Sequence, residues 1–399
     1  MKTLNNFPVE KKNVLLRVDL NVPTKNGIVI DKTKFQIIKS TVSTLSLKKN
    51  KIFLLSHFGR PNKKNNKKFS LKFLKKNLAE SLSVKKIYFV SKCYGSIIDQ
   101  QKTFMQPGEI CLLENVRFHE GEEKNDSTFS KSLAKHFDVY INEAFSASHR
   151  KHASIAGVTK YLPSLAGNNF IKEIDHLNTL LNNSTKPKIA IIGGSKVSTK
   201  LKLLNNLLKV FDTIIIGGAM ANTFLVAKGF KVGKSLVEKD LIINAKKILK
   251  RSKHFNTKLV LPIDLICSNS IKKRINIKIV DVKNFLPDQI AFDIGNKTIE
   301  LIKSLLLKSK VIFWNGPLGA FEYKPFDNGT NQVAKLIKKY TKKLNIITIA
   351  GGGDTVAAIK QAKVEKSFTY VSTAGGAFLE WLEGKESPGL QALKKNKLS

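Results

Sequence analysis

Residues 189–200 read IAIIGGSKVSTK. Four consecutive apolar residues look like a strand of a parallel sheet that is covered on both faces. The two glycines behind it sit where a strand gives way to a helix. There, glycine lets backbone N–H groups approach a phosphate, and the helix N-terminus adds positive potential. The pattern recurs through this half of the chain. Residues 213–216 run into GGAMANTF, 311–314 into NGPLGAFE, 346–350 into GGGDT and 369–372 into TAGGAFLE, and a further strand is expected at 259–262. One glycine pair alone marks a tight turn. Five at strand ends in one half of the chain mark a nucleotide site. Lys196 and Lys200, spaced one helical turn apart, can face the same phosphates, and the carboxylate of Asp354, directly behind three glycines, can hold Mg2+.

The first half carries the same alternation with different chemistry at its strand ends. Strands are expected at 14–18, 52–56, 87–90, 110–113 and 139–142, and all but the third are followed by unusual residues. These are Asp19 and Asn21; His57, Gly59 and Arg60; Glu114, Asn115 and Arg117; and Ala147, Ser148, His149 and Arg150. Ligands in open α/β sheets bind beyond the carboxyl ends of the strands, so these residues converge on a site for a small, multiply charged anion. Two series of alternating strands and helices predict an α/β fold of two doubly wound, Rossmann-like parallel-sheet domains facing each other across a cleft. A chain of 399 residues is also longer than one core normally serves. The first domain is expected to span 1–168 and the second 169–382, with a helix over 170–181 after the LPSLAG segment.

The net charge of +39 raises nucleic-acid binding as a rival function. Of 69 basic residues only six are arginine, and the lysines are spread along the whole chain with no aromatic interleaving and no nucleic-acid-binding module. That pattern fits compositional drift better than a binding stripe. The polar stretch 62–68 reads as a solvated loop. In such a chain a retained arginine points to a need that lysine does not meet, such as planar, bidentate binding of carboxylate or phosphate. Arg60, Arg117 and Arg150 fit that need, whereas Arg17 also reads as structural. Cys93, Cys111 and Cys267 are odd in number and widely spaced, which argues against a disulfide framework and for a reducing cytoplasm. Neither a secretory leader nor a run of about 18 apolar residues is visible. KGFKVGKS at 228–235 is one residue short of a P-loop, and no GxGxxG occurs.

RVDLNVP, SHFGRP, LLENVRFHEGEEKND, NEAFSASHRKHAS, GGSKVSTK, WNGPLGAFE and GGGDT occur in this order along the chain. In that order and spacing the chain resembles the phosphoglycerate kinases, from residue 13 to about 393. The resemblance implies reversible phosphoryl transfer between 1,3-bisphosphoglycerate and ADP, giving 3-phosphoglycerate and ATP, with Mg2+ and a monomeric, cytoplasmic, hinge-bending enzyme. It implies that Asp19, Asn21, Lys34, His57, Phe58, Gly59, Arg60, Arg117, His149 and Arg150 hold phosphoglycerate. It implies that Lys200, Gly217, Ala219, Asn315, Pro317, Glu322, Gly351, Gly352, Gly353, Asp354 and Thr355 hold the nucleotide and its metal. Lys34, Lys196, Lys200 and Gly375 are then catalytic, and residues 383–399 return to the N-terminal domain. Three positions depart from the family pattern. Lys34 stands where an arginine is usual, Ala219 ends a Gly-Gly-Ala and Ala374 opens an Ala-Gly-Gly. Lysine keeps the charge and loses the fork of parallel donors, which implies a slower enzyme or a catalytically weakened kinase-fold scaffold.

Overall fold

The computed structural model describes residues 1–61, 67–181, 185–273 and 275–398. Residues 62–66 of the lysine-rich stretch lie outside the described residues, and Lys67–Phe69 forms a short 3-10 turn. The chain divides into two compact units, one comprising Met1–Asp175 with Glu386–Ser399 and the other His176–Lys385. The division falls within the helix Asn168–Leu181.

The first unit is built on six parallel strands: β1 (Asn13–Arg17), β2 (Lys51–Leu55), β3 (Tyr88–Val90), β4 (Ile110–Leu113), β5 (Val139–Asn142) and β6 (Ser164–Ala166). Their order across the sheet is β3-β4-β2-β1-β5-β6. Successive side chains of a strand point to opposite faces, and here both faces are buried. Val14, Leu16, Ile52, Leu54, Ile110 and Leu112 pack on one side with Val42 and Leu45 of the helix Lys39–Leu47 and with Leu78 of Lys75–Leu82. Leu15, Phe53, Cys111 and Tyr140 are equally buried on the other. Each fully buried aliphatic side chain contributes about 1.5–3 kcal/mol, so the apolar runs define the strands in register and direction. The helix Pro388–Lys395, started by Ser387 as N-cap and Pro388 at its first position, belongs to this unit. Leu390 and Leu393 are buried, and Gly389 donates its N–H to the Ser148 carbonyl at 2.9 Å, bracing the segment that carries His149 and Arg150.

The second unit contains β7 (Lys188–Ile192), β8 (Thr213–Ile216), β9 (Lys258–Val260), β10 (Asp264–Ser268), β11 (Lys278–Asp281), β12 (Ile290–Ile294), β13 (Val311–Asn315), β14 (Ile347–Ala350) and β15 (Tyr370–Val371). Six of them form a parallel sheet in the order β9-β8-β7-β13-β14-β15, and the others an antiparallel sheet in the order β11-β10-β12. The six-stranded order is the doubly wound one, with its reversal between β7 and β13. In the first unit the corresponding reversal lies between β1 and β5. A doubly wound sheet opens a ligand crevice at that point, and both sets of candidate residues lie there.

Candidate active site

In the first unit the residues just beyond β1 and β5 form an interlocked polar cluster. Asp19 accepts from Lys34 Nζ at 2.7 Å, from the Asn21 N–H at 3.0 Å and from the Ser146 hydroxyl. Lys34 Nζ also donates to the Asn21 carbonyl at 3.0 Å, and Asn21 Oδ1 accepts from the Gly59 N–H at 2.9 Å. Burial works to raise the Asp19 carboxyl, but Lys34, His57 and the two side-chain hydrogen bonds outweigh it and hold the group down at about 2. Asp19 is thus an ionised acceptor that fixes the Lys34 ammonium. Two of that ammonium's three donors are engaged, and one is left for a ligand.

Arg117 reaches the Gly59 carbonyl at 2.5 Å, and its Nε lies 3.1 Å from Glu123 Oε1, an ion pair out of line with the N–H axis. Burial, together with Arg150 and against the pull of Glu123, lowers its guanidinium to about 10. Arg150 donates through Nε to His149 Nε2 at 3.1 Å. His57 is buried among these cations. Desolvation first, then Arg17, Arg117 and Arg150, with Asp19 opposing, push its imidazole down to about 2. Arg60, which follows Gly59 in the chain, is exposed. The Phe58 ring is buried, edge-on to Phe73. Two further residues organise the site: Asn115, already marked at its strand end, and Ser146, which carried no sequence signal as a site member. Asn115 donates to the Phe58 and Phe69 carbonyls at 2.8 and 2.9 Å and so shapes the 57–60 loop, and Ser146 completes the shell of Asp19. Several cations and fixed N–H groups gathered on one small surface suit a compact anion bearing both carboxylate and phosphate.

In the second unit three loops meet at the reversal between β7 and β13. Gly193 donates to the Asn315 carbonyl at 2.8 Å, and a Cβ on it would lie 1.9 Å from the Pro317 carbonyl oxygen. A Cβ on Gly218, which has φ +68°, would lie 2.5 Å from the Gly194 oxygen. Backbone therefore rests on backbone here, and that contact is why the glycines are required. Asn315, buried, accepts from Lys200 Nζ at 2.5 Å and donates to the Gly351 carbonyl at 2.7 Å. Thr355 accepts from the Gly316 N–H at 2.6 Å and donates to Gly351 at 2.9 Å. Burial lowers the Lys200 ammonium, while Asp354 and Glu383 pull it back up. Ala219 has φ −64°, so the alanine that departs from the glycine triplet fits its backbone without strain. Ala374 is buried and does not have a positive φ, whereas Gly375 has φ +54°.

A cavity of about 280 Å³ opens beside these loops. Ala219, Pro317, Glu322 and Asp354 line it, and Leu265, Ile271 and Phe292, with Asp293, form its apolar side. Asp293 is buried, which drives its carboxyl up to about 8, against the hydrogen bonds from Gly329 and Ile294. These added residues come mainly from the antiparallel sheet, which the sequence reading did not anticipate.

One expectation is corrected. Lys196 and Lys200 do not share a helix. The helix here begins at Leu201, Lys200 is its N-cap and Lys196 lies exposed in the preceding loop. Glu238 accounts for the difference. Its carboxylate accepts from the Val197 and Ser198 N–H groups and from the Ser198 hydroxyl, so the loop that carries Lys196 is tied to a distant residue and not built as a helical turn.

Mg2+ fits the donors present. The ion keeps most of its waters and is held by one or two carboxylates plus substrate phosphates. Asp354, exposed in the first turn of the helix Gly353–Gln361 and near the Lys200 charge, is such a carboxylate. No group of three or more His, Cys, Asp or Glu poised for a metal occurs among the described residues, so an all-protein cage is not what the site offers.

The family model for phosphoglycerate kinase matches residues 4–385. A phosphoglycerate kinase from Chelativorans sp. (strain BNC1) is 46% identical over 395 residues, covering 99% of each chain. One from Rhizobium meliloti (strain 1021) has the same identity and coverage. Among solved structures, phosphoglycerate kinase from Coxiella burnetii superposes with a TM-score of 0.91 at 36% identity, covering 98% of each chain. The one from Pyrococcus horikoshii OT3 gives 0.80 at 29% identity, covering 99% of this chain and 98% of that one.

Proposed function

The chain belongs to the phosphoglycerate kinase family, and on that premise we propose that its two units divide the substrates between them. The reaction is the reversible, glycolytic transfer of a phosphoryl group between 1,3-bisphosphoglycerate and ADP, giving 3-phosphoglycerate and ATP. The first unit holds the phosphoglycerate through Asn21, Lys34, His57, Arg60, Arg117 and Arg150, and the second holds the nucleotide through Lys200, the 217–219 loop, Asn315, Pro317, Glu322 and the 351–355 turn. The observation that carries this reading is the pair of polar clusters at the two strand-order reversals, one cationic and one glycine-lined.

In the direction that consumes ATP, the accepting carboxylate is already ionised, so the site needs no general base. Catalysis is positioning and charge stabilisation. The cations of the first unit orient the acid and neutralise its charge. In the second unit, Asn315 steers the Lys200 ammonium, which supports the phosphates together with N–H groups of the glycine turns. Mg2+, held by Asp354 and the phosphates, supplies further neutralisation when bound. Lys34, with its free donor, serves the group in transfer. Domain closure by hinge bending brings the ligands together and excludes water, which would otherwise hydrolyse the acyl phosphate. Three buried, unpaired cysteines agree with action in a reducing cytoplasm, and a monomer suffices because both substrate sites belong to one chain. No helix among the described residues is long and apolar enough to cross a membrane.

Calorimetric titration of full-length Arg60→Lys tests the division of ligands. Loss of the planar fork should raise the Kd for 3-phosphoglycerate about tenfold and leave MgADP binding as it was. Unchanged phosphoglycerate affinity would remove Arg60 from the site.

A further inference from the structure

Arg17 has no part in the ligand set above, yet it is an arginine in a chain with 69 basic residues of which only six are arginine. Its side chain is 1% exposed at the end of β1. Three faces of its guanidinium are engaged. Nε donates to Ser154 Oγ at 3.0 Å, Nη1 to the Val18 carbonyl, and Nη2 lies 3.2 Å from His57 Nδ1. Ser154 is itself fixed, donating its hydroxyl to Glu122 Oε1 at 2.6 Å and its N–H to Glu122 Oε2 at 2.9 Å. Burial works to raise the Glu122 carboxyl, but His152, Arg17 and Ser154 outweigh it, so the group is held ionised as the counter-charge.

A guanidinium donates and does not accept. Nδ1 of His57 must therefore be the acceptor, and a neutral imidazole that accepts at Nδ1 carries its single proton at Nε2. We propose that Arg17 is a positioning residue that locks His57 as the neutral Nε2–H tautomer, so that His57 meets the substrate anion as a hydrogen-bond donor, not as a cation or a base. The role toward substrate rests on the assignment of His57 to the phosphoglycerate site; the tautomer does not.

The charged groups around His57 act with this lock. Arg17, Arg117 and Arg150 oppose protonation and Asp19 favours it. The ring therefore stays neutral through the physiological range, and which nitrogen carries the proton decides whether it attracts or repels an oxyanion. With Nδ1 facing Arg17, the donor end points the other way. Lysine at position 17 could not serve three separated acceptors from one nitrogen. This explains the arginine at position 17 in a chain that otherwise carries most of its positive charge on lysine.

The test is 15N NMR of histidine-labelled, full-length, unliganded protein between pH 5 and 9, with the His57 signals assigned by their loss in His57→Gln. The expected spectrum shows an unprotonated-type shift at Nδ1 and a protonated-type shift at Nε2, unchanged across that range. Adding 3-phosphoglycerate moves Nε2. A proton on Nδ1, or an imidazolium forming near pH 6–7, overturns the proposal. Arg17→Met should mix the two tautomers and raise the phosphoglycerate Kd about tenfold, with MgADP affinity unchanged. An unmixed Nε2–H signal in that variant also overturns it. Ser154→Ala keeps Arg17 but loosens its anchor, and should show partial mixing if Arg17→Met fails to fold; an unmixed signal there counts equally against the lock. An Nε2–H tautomer that ignores phosphoglycerate would instead remove His57 from the ligand site and leave the control by Arg17 standing.

Discussion

Gly193→Ala would test the backbone contact on which the second unit's site is built. The added methyl would meet the Pro317 carbonyl oxygen at 1.9 Å and the Gly316 oxygen at 2.7 Å. Ordinary contact begins at 3.4 Å, so the 316–317 loop has to retreat by about 1.5 Å. Neither partner is a flexible side chain that could swing aside. The loop is also tied to the site, since Asn315 steers Lys200, Gly316 donates to Thr355 and Pro317 lines the cavity. Overpacking of this kind costs about 1–3 kcal/mol of stability. A misplacement of roughly 1 Å in catalytic positioning costs about 10²-fold in rate. Denaturant unfolding, MgADP calorimetry and steady-state turnover together read these effects. MgADP should bind at least about tenfold more weakly, kcat should fall about 10²-fold, and phosphoglycerate affinity should stay at the parent value because its ligands lie in the first unit. A variant with unaltered unfolding midpoint and MgADP affinity would refute the idea that this glycine is required by backbone packing.

Lys34→Arg should raise kcat by about tenfold, the worth of one further charge-assisted hydrogen bond to the group in transfer; an unchanged or lower rate in steady-state kinetics would mean the surrounding shell, with Asp19 at 2.7 Å, is fitted to lysine. Glu143, buried and bonded to Thr41 and the Asn169 and Phe170 N–H groups, has its carboxyl raised by burial to about 7 from 4.5. The folded state thus keeps a proton that the unfolded chain has already lost, so this contribution is full below about pH 4.5 and is lost as pH rises through 7, at no more than about 1.4 kcal/mol per pH unit. Denaturation of Glu143→Gln at a series of pH values should show that slope removed; an identical profile would show that Glu143 titrates normally.

Most of the parallel strands were legible because they are apolar runs too short for a helix, several of them closed by glycine or a charged residue, as β7 is by Gly193 and β4 by Glu114. The sheet β11-β10-β12 was not, and its residues explain why. Asp264 is buried within β10 yet polar, because its carboxylate accepts from Lys297 and Thr298 at the start of the helix Asn296–Leu306, and Ile279 of β11 is exposed yet apolar. Both break the alternation by which a strand is recognised. Likewise β6, three residues long, reads as part of a turn. Within the site, the strand-end arginines and glycines stood out by residue type. The positions of Lys196 and Ser146 depend on partners 40 or more residues away, such as Glu238 with Ser198 and Ser146 with Asp19. Local spacing carries no information about such pairings.

The most direct test of the whole account is ADP release from MgATP by the purified chain, measured with and without 3-phosphoglycerate. ADP should appear only when the acid is present, with 1,3-bisphosphoglycerate formed in equal amount. ADP released at the same rate without the acid, or no turnover while both ligands bind, would contradict it.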